Sequence, residues 1–382
     1  MFGGRFSSSI GHVGIDFGTR SIKLLQVREH GRAVHVIGAA EIDRGSVGND
    51  QELAKRFSAE LTGRGFTGRR CVIGLPRSVV RVQSIRLPRM PDAELLQAVT
   101  WEASQRFAFD REAMQVDFIR TGADLQSAEN REEVLIIAVA HGPLQACLHP
   151  VLEAGLRPIA VETDFSALAR IYSRHCRRES DRSQVRVVVE VGITGSSVLI
   201  LRGDQVAFCK TVGIGGERFN RAVMDHLQLD ARAAAELRAA RIGNAARKAD
   251  GTSIDPATDR AVFEAVRPLL SELAKEVVLC LRYYGVTFRG HPPDRIILSG
   301  GDGLEPRFHE LIEQACKIPV AFDDSNDTLS NLVPEIGRIL NRSAGIAPNW
   351  AVAAGLSARG IQIRRSAEEK STTAPARRGA AA

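Results

Sequence analysis

The chain has 382 residues, 44% hydrophobic and 25% charged, enough length for a large core and for two domains. Its formal net charge is +6, aromatics make up only 5%, and the segment Arg364–Ala382 carries +3 of the charge. The body therefore has no clustered basic face and no base-stacking platform, which speaks against a nucleic-acid partner. The histidines show no HExxH spacing, and none of the cysteines at 71, 147, 176, 209, 280 and 316 forms CxxC. Most of these cysteines sit in apolar runs, so they are expected to be reduced, packed thiols of a cytosolic chain. The opening MFGGRFSSSIG lacks the apolar core of a signal peptide. The longest apolar run, Val134–Ala140, is too short to span a bilayer, so any membrane role is expected to pass through a partner.

In chain order, chemistry first enters at His12–Lys23, HVGIDFGTRSIK. A short apolar strand ends at Asp16, Gly18 permits a tight turn, Thr19 adds a hydroxyl, and a second strand carries Lys23. A carboxylate at a strand end beside free backbone N–H groups suits a metal-bound phosphate, and Lys23 could reach that phosphate as a point charge. A plain hairpin whose Asp and Thr satisfy turn N–H groups fits the same residues. Strands over Ser21–Arg28, Ala33–Ile42 and Arg70–Leu75, with helical spacing over Gln51–Leu61, complete a βββαβ order typical of a ribonuclease-H-like core.

Next comes a block read as an insertion in the first domain, about 84–157. It comprises a strand Val80–Leu87, a helix from Asp92 to Phe109, strands Val116–Thr121 and Glu133–Ala140 around a polar loop Ala123–Asn130, and a helix Leu144–Ala154. Ile159–Glu162 returns to the core, Phe165–Tyr172 is helical, and the charged run Arg174–Arg186 marks the domain boundary. The pattern then repeats. Strands Val185–Val191, Ser196–Leu201 and Gln205–Val212, separated by tight turns, lead through Gly213–Gly216 into a helix Glu217–Leu227. A repeat of this kind says more about the fold than either half alone.

Helices are expected at Asp230–Ile242 and Asp259–Tyr284, with the polar stretch Asn244–Pro256 between them. A strand Arg295–Leu298 then ends in Ser299-Gly300-Gly301-Asp302-Gly303. That turn is expected to open a helix Leu304–Cys316 and to offer its N-terminal N–H groups. A strand Ile318–Phe322, a small-residue helix Asn349–Leu356 and a tail disordered beyond Gln362 finish the chain. The resulting domains are 11–180, 185–362 with a helical subdomain of about 215–290, and a basic tail 363–382. Three glycine-marked turns follow apolar strands: Asp16–Thr19, Glu190–Thr194 and Ser299–Gly303. If the two copies face each other, the first two turns meet over a cleft and can hold a polyphosphate from both sides. Asp16-Phe17-Gly18 matches a kinase triplet but no HRD-type loop precedes it, and no GxxxxGK[ST] loop exists.

Several stretches together resemble the actin-like ATPases and, more closely, the PilM family of type IV pilus assembly. They are Gly14–Lys23; Leu75-Pro76 with Ile85–Pro88; Leu95–Phe109 with Trp101-Glu102-Ala103; Ala154–Pro158; Val212–Gly216; Leu298–Gly301; and Trp350–Gly355. The resemblance runs from about Val13 to Gly360 and implies an α/β, duplicated ribonuclease-H-like fold of two domains with a small α+β insertion. It implies ATP and Mg²⁺ as ligands. Asp16 would organise the metal through water, with Gly18 and Thr19 on the phosphate and Gly192 and Thr194 on its other side. Gly215, Gly216, Glu217 and Arg238 would approach the nucleoside, and Gly300 and Gly301 the adenine. The second phosphate strand of such proteins usually ends in Asp, whereas here it ends in Glu190. A longer carboxylate displaces metal-bound water, so Glu190 is a poorer metal residue and hydrolysis is less expected than binding.

The implied role is a cytoplasmic ATP-binding scaffold, peripheral to the inner membrane. It would dock the cytoplasmic tail of a PilN-like partner between Val80–Leu87 and the block Asp92–Gly155. Alternatives are a slow ATPase, an FtsA-like filament or division protein, or a component of a type II secretion machine; a homo-oligomer stays open. The tail Arg364–Ala382 has none of the large apolar residues of an FtsA-type membrane helix.

Overall fold

Strands β1 (Ser8–Ile10), β2 (Val13–Phe17), β3 (Ser21–His30) and β4 (Ala33–Asp43) open the first sheet. The computed structural model describes residues 8–30, 33–121, 130–174, 181, 183–246, 254–288, 291–322, 328–345, 347–359 and 361. The polar loop expected at 123–130 except Asn130, most of the boundary run 174–186, much of the stretch 244–256 and the tail from 363 lie outside these residues. Helix α1 (Asp50–Gly63) starts where the Asn49 side chain accepts from the Glu52 N–H, and it buries Leu53, Ala54 and Phe57. Strand β5 (Arg70–Gly74) then pairs parallel to β2 and sets Gly74 beside Asp16. The expected βββαβ core is present; β4 covers one side of β3, and β1 pairs with its end, Arg28–His30, on the side where β2 pairs with Ile22–Leu25.

Strand β6 (Val80–Pro88), helix α2 (Asp92–Phe107) and strands β7 (Met114–Arg120) and β8 (Arg131–Ala140) form the insertion. Its sheet runs β6-β8-β7, and its own core holds Ile85, Leu95, Val99, Ala103, Met114 and Val134. One expectation changes here. Helix α3 (His141–Glu153) packs Cys147 and Val151 against Leu53, Phe57 and Ile73 of the first core, so the insertion ends at Ala140 rather than near 157. Strand β6 is hydrogen-bonded to β8 from Val80 to Pro88 and forms one edge of the insertion sheet. Strand β9 (Arg157–Glu162) returns parallel to β5, and helix α4 (Asp164–Tyr172) follows, capped by the Thr163 hydroxyl.

The second sheet repeats the scheme with β10 (Val185–Val191), β11 (Ser196–Arg202) and β12 (Gln205–Val212). Helices α5 (Gly216–Leu227), α6 (Ala231–Ala246) and α7 (Pro256–Phe288) come next, then β13 (Arg295–Ser299), α8 (Phe308–Cys316) and β14 (Val320–Ala321). The order is β12-β11-β10-β13-β14, and every residue of β10 is buried, as its near-continuous valine run requires. Helix α8 starts only at Phe308, because Arg307 takes the left-handed conformation. Its N-terminus is therefore not at Gly300–Gly303.

Helix α9 (Thr328–Leu340) was not legible in the sequence, because Pro334 interrupts its pattern. It buries Leu332, Ile336 and Leu340 and lies against β4, where the Val36 N–H donates to Glu335 Oε2 at 2.5 Å. Helix α10 (Ala351–Ser357) packs on β2, β3, β5 and α4. The Ser357 hydroxyl donates to the His12 carbonyl at 2.7 Å and accepts from the Val27 N–H at 3.0 Å. The unit expected at 185–362 thus hands its last two helices back to the first sheet. Four of the cysteines, 71, 147, 209 and 280, are buried and unpaired. Burial pushes the Cys71 thiol up to about 12 and Cys280 to about 11, so neither is a reactive thiolate. Among the described residues no helix is long and apolar enough to cross a membrane.

The α4–α10 contact depends on Gly355, where an added Cβ would stand 2.1 Å from the Ala167 carbonyl oxygen. Gly355→Ala is expected to lower the unfolding free energy by about 1–3 kcal/mol in urea titration by forcing the helices apart. An unchanged midpoint would contradict this packing.

Candidate functional site

The hairpin β2–β3 and its counterpart β10–β11 point their turns into one cleft of about 380 Å³, a size suited to a small-molecule ligand. In the first turn the Gly18 N–H bonds back to the Asp16 carbonyl at 3.0 Å, and in the second the Gly192 N–H reaches the Gly195 carbonyl at 2.9 Å. Thr19 and Thr194 sit exposed at the two tips. The cleft wall contains Asp16, Gly18, Thr19, Lys23, Glu190, Gly192, Thr194, Arg238, Gly300 and Gly301 from the sequence-derived set. Gly215, Gly216 and Glu217 do not line it.

The reason for that absence is local. The first N–H groups of α5, which a ligand would need, are already taken: Gly216 donates to the Gly192 carbonyl at 3.0 Å and Glu217 to the Ile193 carbonyl at 2.9 Å. The helix N-terminus braces the second hairpin from behind, and the Glu217 side chain is exposed. Gly300 has φ +81°, and an added Cβ would lie 2.4 Å from the Val191 carbonyl, so the turn after β13 presses directly on the end of β10.

Arg238 lines the cleft, yet its guanidinium is fully engaged. Nη2 donates to Asp302 Oδ1 at 2.8 Å and to Glu305 Oε2 at 2.6 Å. Nη1 donates to Asn220 Oδ1 at 2.6 Å and to the Gly216 carbonyl at 3.0 Å. Arg241 grips the same Glu305 and also Asp259, at 2.6 Å. Arg238 therefore acts as a buried strut between α5, α6 and the Ser299–Gly303 turn. It is not free to donate to a nucleoside.

Two residues that pattern reasoning missed dominate the centre of the cleft. Arg77, just past β5, donates from Nε and Nη2 to Asp164 Oδ2 at 3.0 and 2.6 Å and from Nη1 to the Gly195 carbonyl at 2.6 Å. Its Nη2 also holds the Glu190 carboxylate. Asp164 opens α4 directly after β9. The only sequence signal for either is adjacency: Arg77 follows the Leu75-Pro76 stop of a strand that ends beside Asp16.

Asp16 has its pKa raised to about 6. Burial is the largest cause; Lys23 and Arg77 oppose it, and the neighbouring Asp164 charge adds to it. Asp16 is thus a poorly solvated carboxylate at a strand end, the chemistry that can hold a metal-bound water. Glu190 does not fit that task, because Arg77 occupies its carboxylate. Among the described residues no cluster of three or more His, Cys, Asp or Glu side chains could hold a metal ion by itself.

A family model for the type IV pilus assembly protein PilM matches residues 14–361. The chain belongs to this family. A solved PilM–PilN type IV pilus biogenesis complex resembles it with a TM-score of 0.68 at 22% identity, covering 92% of this chain and 98% of that one. The ethanolamine utilization protein EutJ from Carboxydothermus hydrogenoformans follows with a TM-score of 0.51 at 12% identity, covering 91% and 89%. No curated protein matches the chain. The fold is the duplicated, actin-like one that the sequence suggested.

The raised Asp16 pKa has a sign. The folded chain binds this proton more tightly than the unfolded chain does, so ionisation costs stability as pH rises from about 4 to about 6. Asp16→Asn is expected to stabilise the protein by about 1–3 kcal/mol above pH 7 and to lose that gain below pH 4, read from thermal unfolding across pH. Equal stability at all pH values would contradict a desolvated carboxylate.

Proposed function

We propose that this chain is an ATP-binding, actin-like scaffold of type IV pilus assembly that docks the cytoplasmic tail of a PilN-like inner-membrane protein. The observation that carries the nucleotide half is the pair of matched hairpins turned into one cleft, with Asp16 and Lys23 on one side and Glu190 on the other. Backbone N–H groups and the exposed hydroxyls of Thr19 and Thr194 would hold a polyphosphate from both sides. Asp16 would meet its Mg²⁺ through water. With Glu190 tied to Arg77, binding rather than rapid hydrolysis is what the cleft is built for.

The partner half is supported by family membership and by the likeness to a PilM–PilN complex. In this reading the chain sits at the membrane only through that partner. The tail would dock in the groove between the first core and the insertion, on the side of the edge strand β6 and helix α2. Trp101 on α2 is half exposed, an aromatic of the kind that anchors peptides.

One calorimetric series tests both halves. Mg-ATP binding is expected to weaken about tenfold or more in Asp16→Ala, and a synthetic partner-tail peptide is expected to lose similar affinity in Trp101→Ala. Unchanged Mg-ATP affinity would overturn the nucleotide assignment, and unchanged peptide affinity the docking face.

A further inference from the structure

Arg77 stands apart from the rest of the cleft because it is the side chain that reaches across it. Asp164 and Arg77 belong to the first half of the site, and Glu190 and the Gly195 carbonyl to the second hairpin. All of these contacts are sheltered, since the Arg77 side chain is 15% exposed and Glu190 11%. A planar guanidinium can serve three acceptors at fixed angles; an ammonium cannot. The pairing also accounts for Glu190. An aspartate at this strand end would leave its carboxylate one methylene further from Arg77, whereas the longer side chain spans the gap.

The second observation is where Arg77 sits in the chain. It begins the short turn Arg77–Val79, closed by the Val79 N–H on the Pro76 carbonyl at 3.1 Å, and β6 starts at the next residue. Strand β6 is paired with β8 along its length, and it also packs against β12 of the second sheet. Whatever moves Arg77 therefore acts on the first strand of the insertion through a three-residue, hydrogen-bonded link.

We propose that Arg77 is the positioning residue of the cleft: it holds the second phosphate hairpin in register with the first and makes the insertion sheet respond to what occupies the space between them. This rests on the nucleotide reading above. A polyphosphate entering between the hairpins competes with Glu190 and the Gly195 carbonyl for the same guanidinium, and the Arg77–Val79 turn carries that exchange into β6. The contacts of Arg77 thus join a ligand site to a surface more than one element away, through one side chain with two alternative sets of partners.

The test combines calorimetry with amide hydrogen exchange over residues 80–88, using Mg-ATP as the probe. In the wild type, saturating Mg-ATP is expected to change exchange over 80–88 severalfold. Arg77→Ala should bind Mg-ATP about tenfold more weakly and, at saturation, leave exchange over 80–88 unchanged; Arg77→Lys should not restore the response. Glu190→Ala keeps the Arg77–Asp164 pair and the Gly195 contact and removes only the cross-cleft carboxylate that a phosphate would displace, so it should at least halve the response and serves if Arg77→Ala fails to fold. A response over 80–88 that persists in Arg77→Ala, is undiminished in Glu190→Ala, is restored by Lys, or is missing from the nucleotide-bound wild type overturns the role of Arg77 alone. Absence of Mg-ATP binding by the wild type overturns the nucleotide reading and this inference together.

Discussion

The two hairpin turns face each other because the two sheets share one apolar core. Leu25 and Val27 of β3, Val188 of β10 and Leu199 of β11 belong to a single buried cluster with Phe165, Leu168 and Ile171 of α4, with Trp350, and with Ala351, Ala353 and Ala354 of α10. Each sheet alone would expose this apolar face to water, so burial joins them back to back through the α4–α10 pair. That pair can approach so closely only because Gly355 presents no side chain to Ala167. Once the sheets are joined in this way, the strand ends Asp16 and Glu190 open into the same space.

Polar contacts then divide the cleft into a fixed side and a switchable side. On the fixed side Arg238, Arg241, Asp302 and Glu305 form a buried network that ties α5 and α6 to the turn after β13. Deep ion networks of this kind are costly to break once buried, and they define one geometry. On the other side Arg77 is shared between two domains, and its partners are groups a phosphate can replace. Asp16 lies between these regimes: it is desolvated enough to hold its proton up to about pH 6, yet it is close to two cations that favour its charge.

Much of the fold was legible because its signals are periodic and repeated. The apolar runs at Val13 and Val185, each followed by two further strands, identified the duplication, and the glycine turns marked three of the cleft walls. Other features left no trace in the pattern. Pro334 hid α9, and the Ala-rich helix at 351–357 has no distinct face to reveal which sheet it serves. Helix α3 read as part of the insertion because only tertiary contact with Phe57 assigns it to the first core. Gly215, Gly216 and Glu217 matched a motif whose N–H groups the fold uses internally. Arg77 and Asp164 were missed because their importance comes from being brought together, which no spacing along the chain records.

In the proposed bound state both hairpins grip one polyphosphate. The most direct measurement is a crystal structure with a non-hydrolysable ATP analogue. The β- and γ-phosphates are expected between Gly18–Thr19 and Gly192–Thr194, each within hydrogen-bond distance of backbone N–H groups from both turns. Phosphates bound to one hairpin only, or lying outside this cleft, would contradict it.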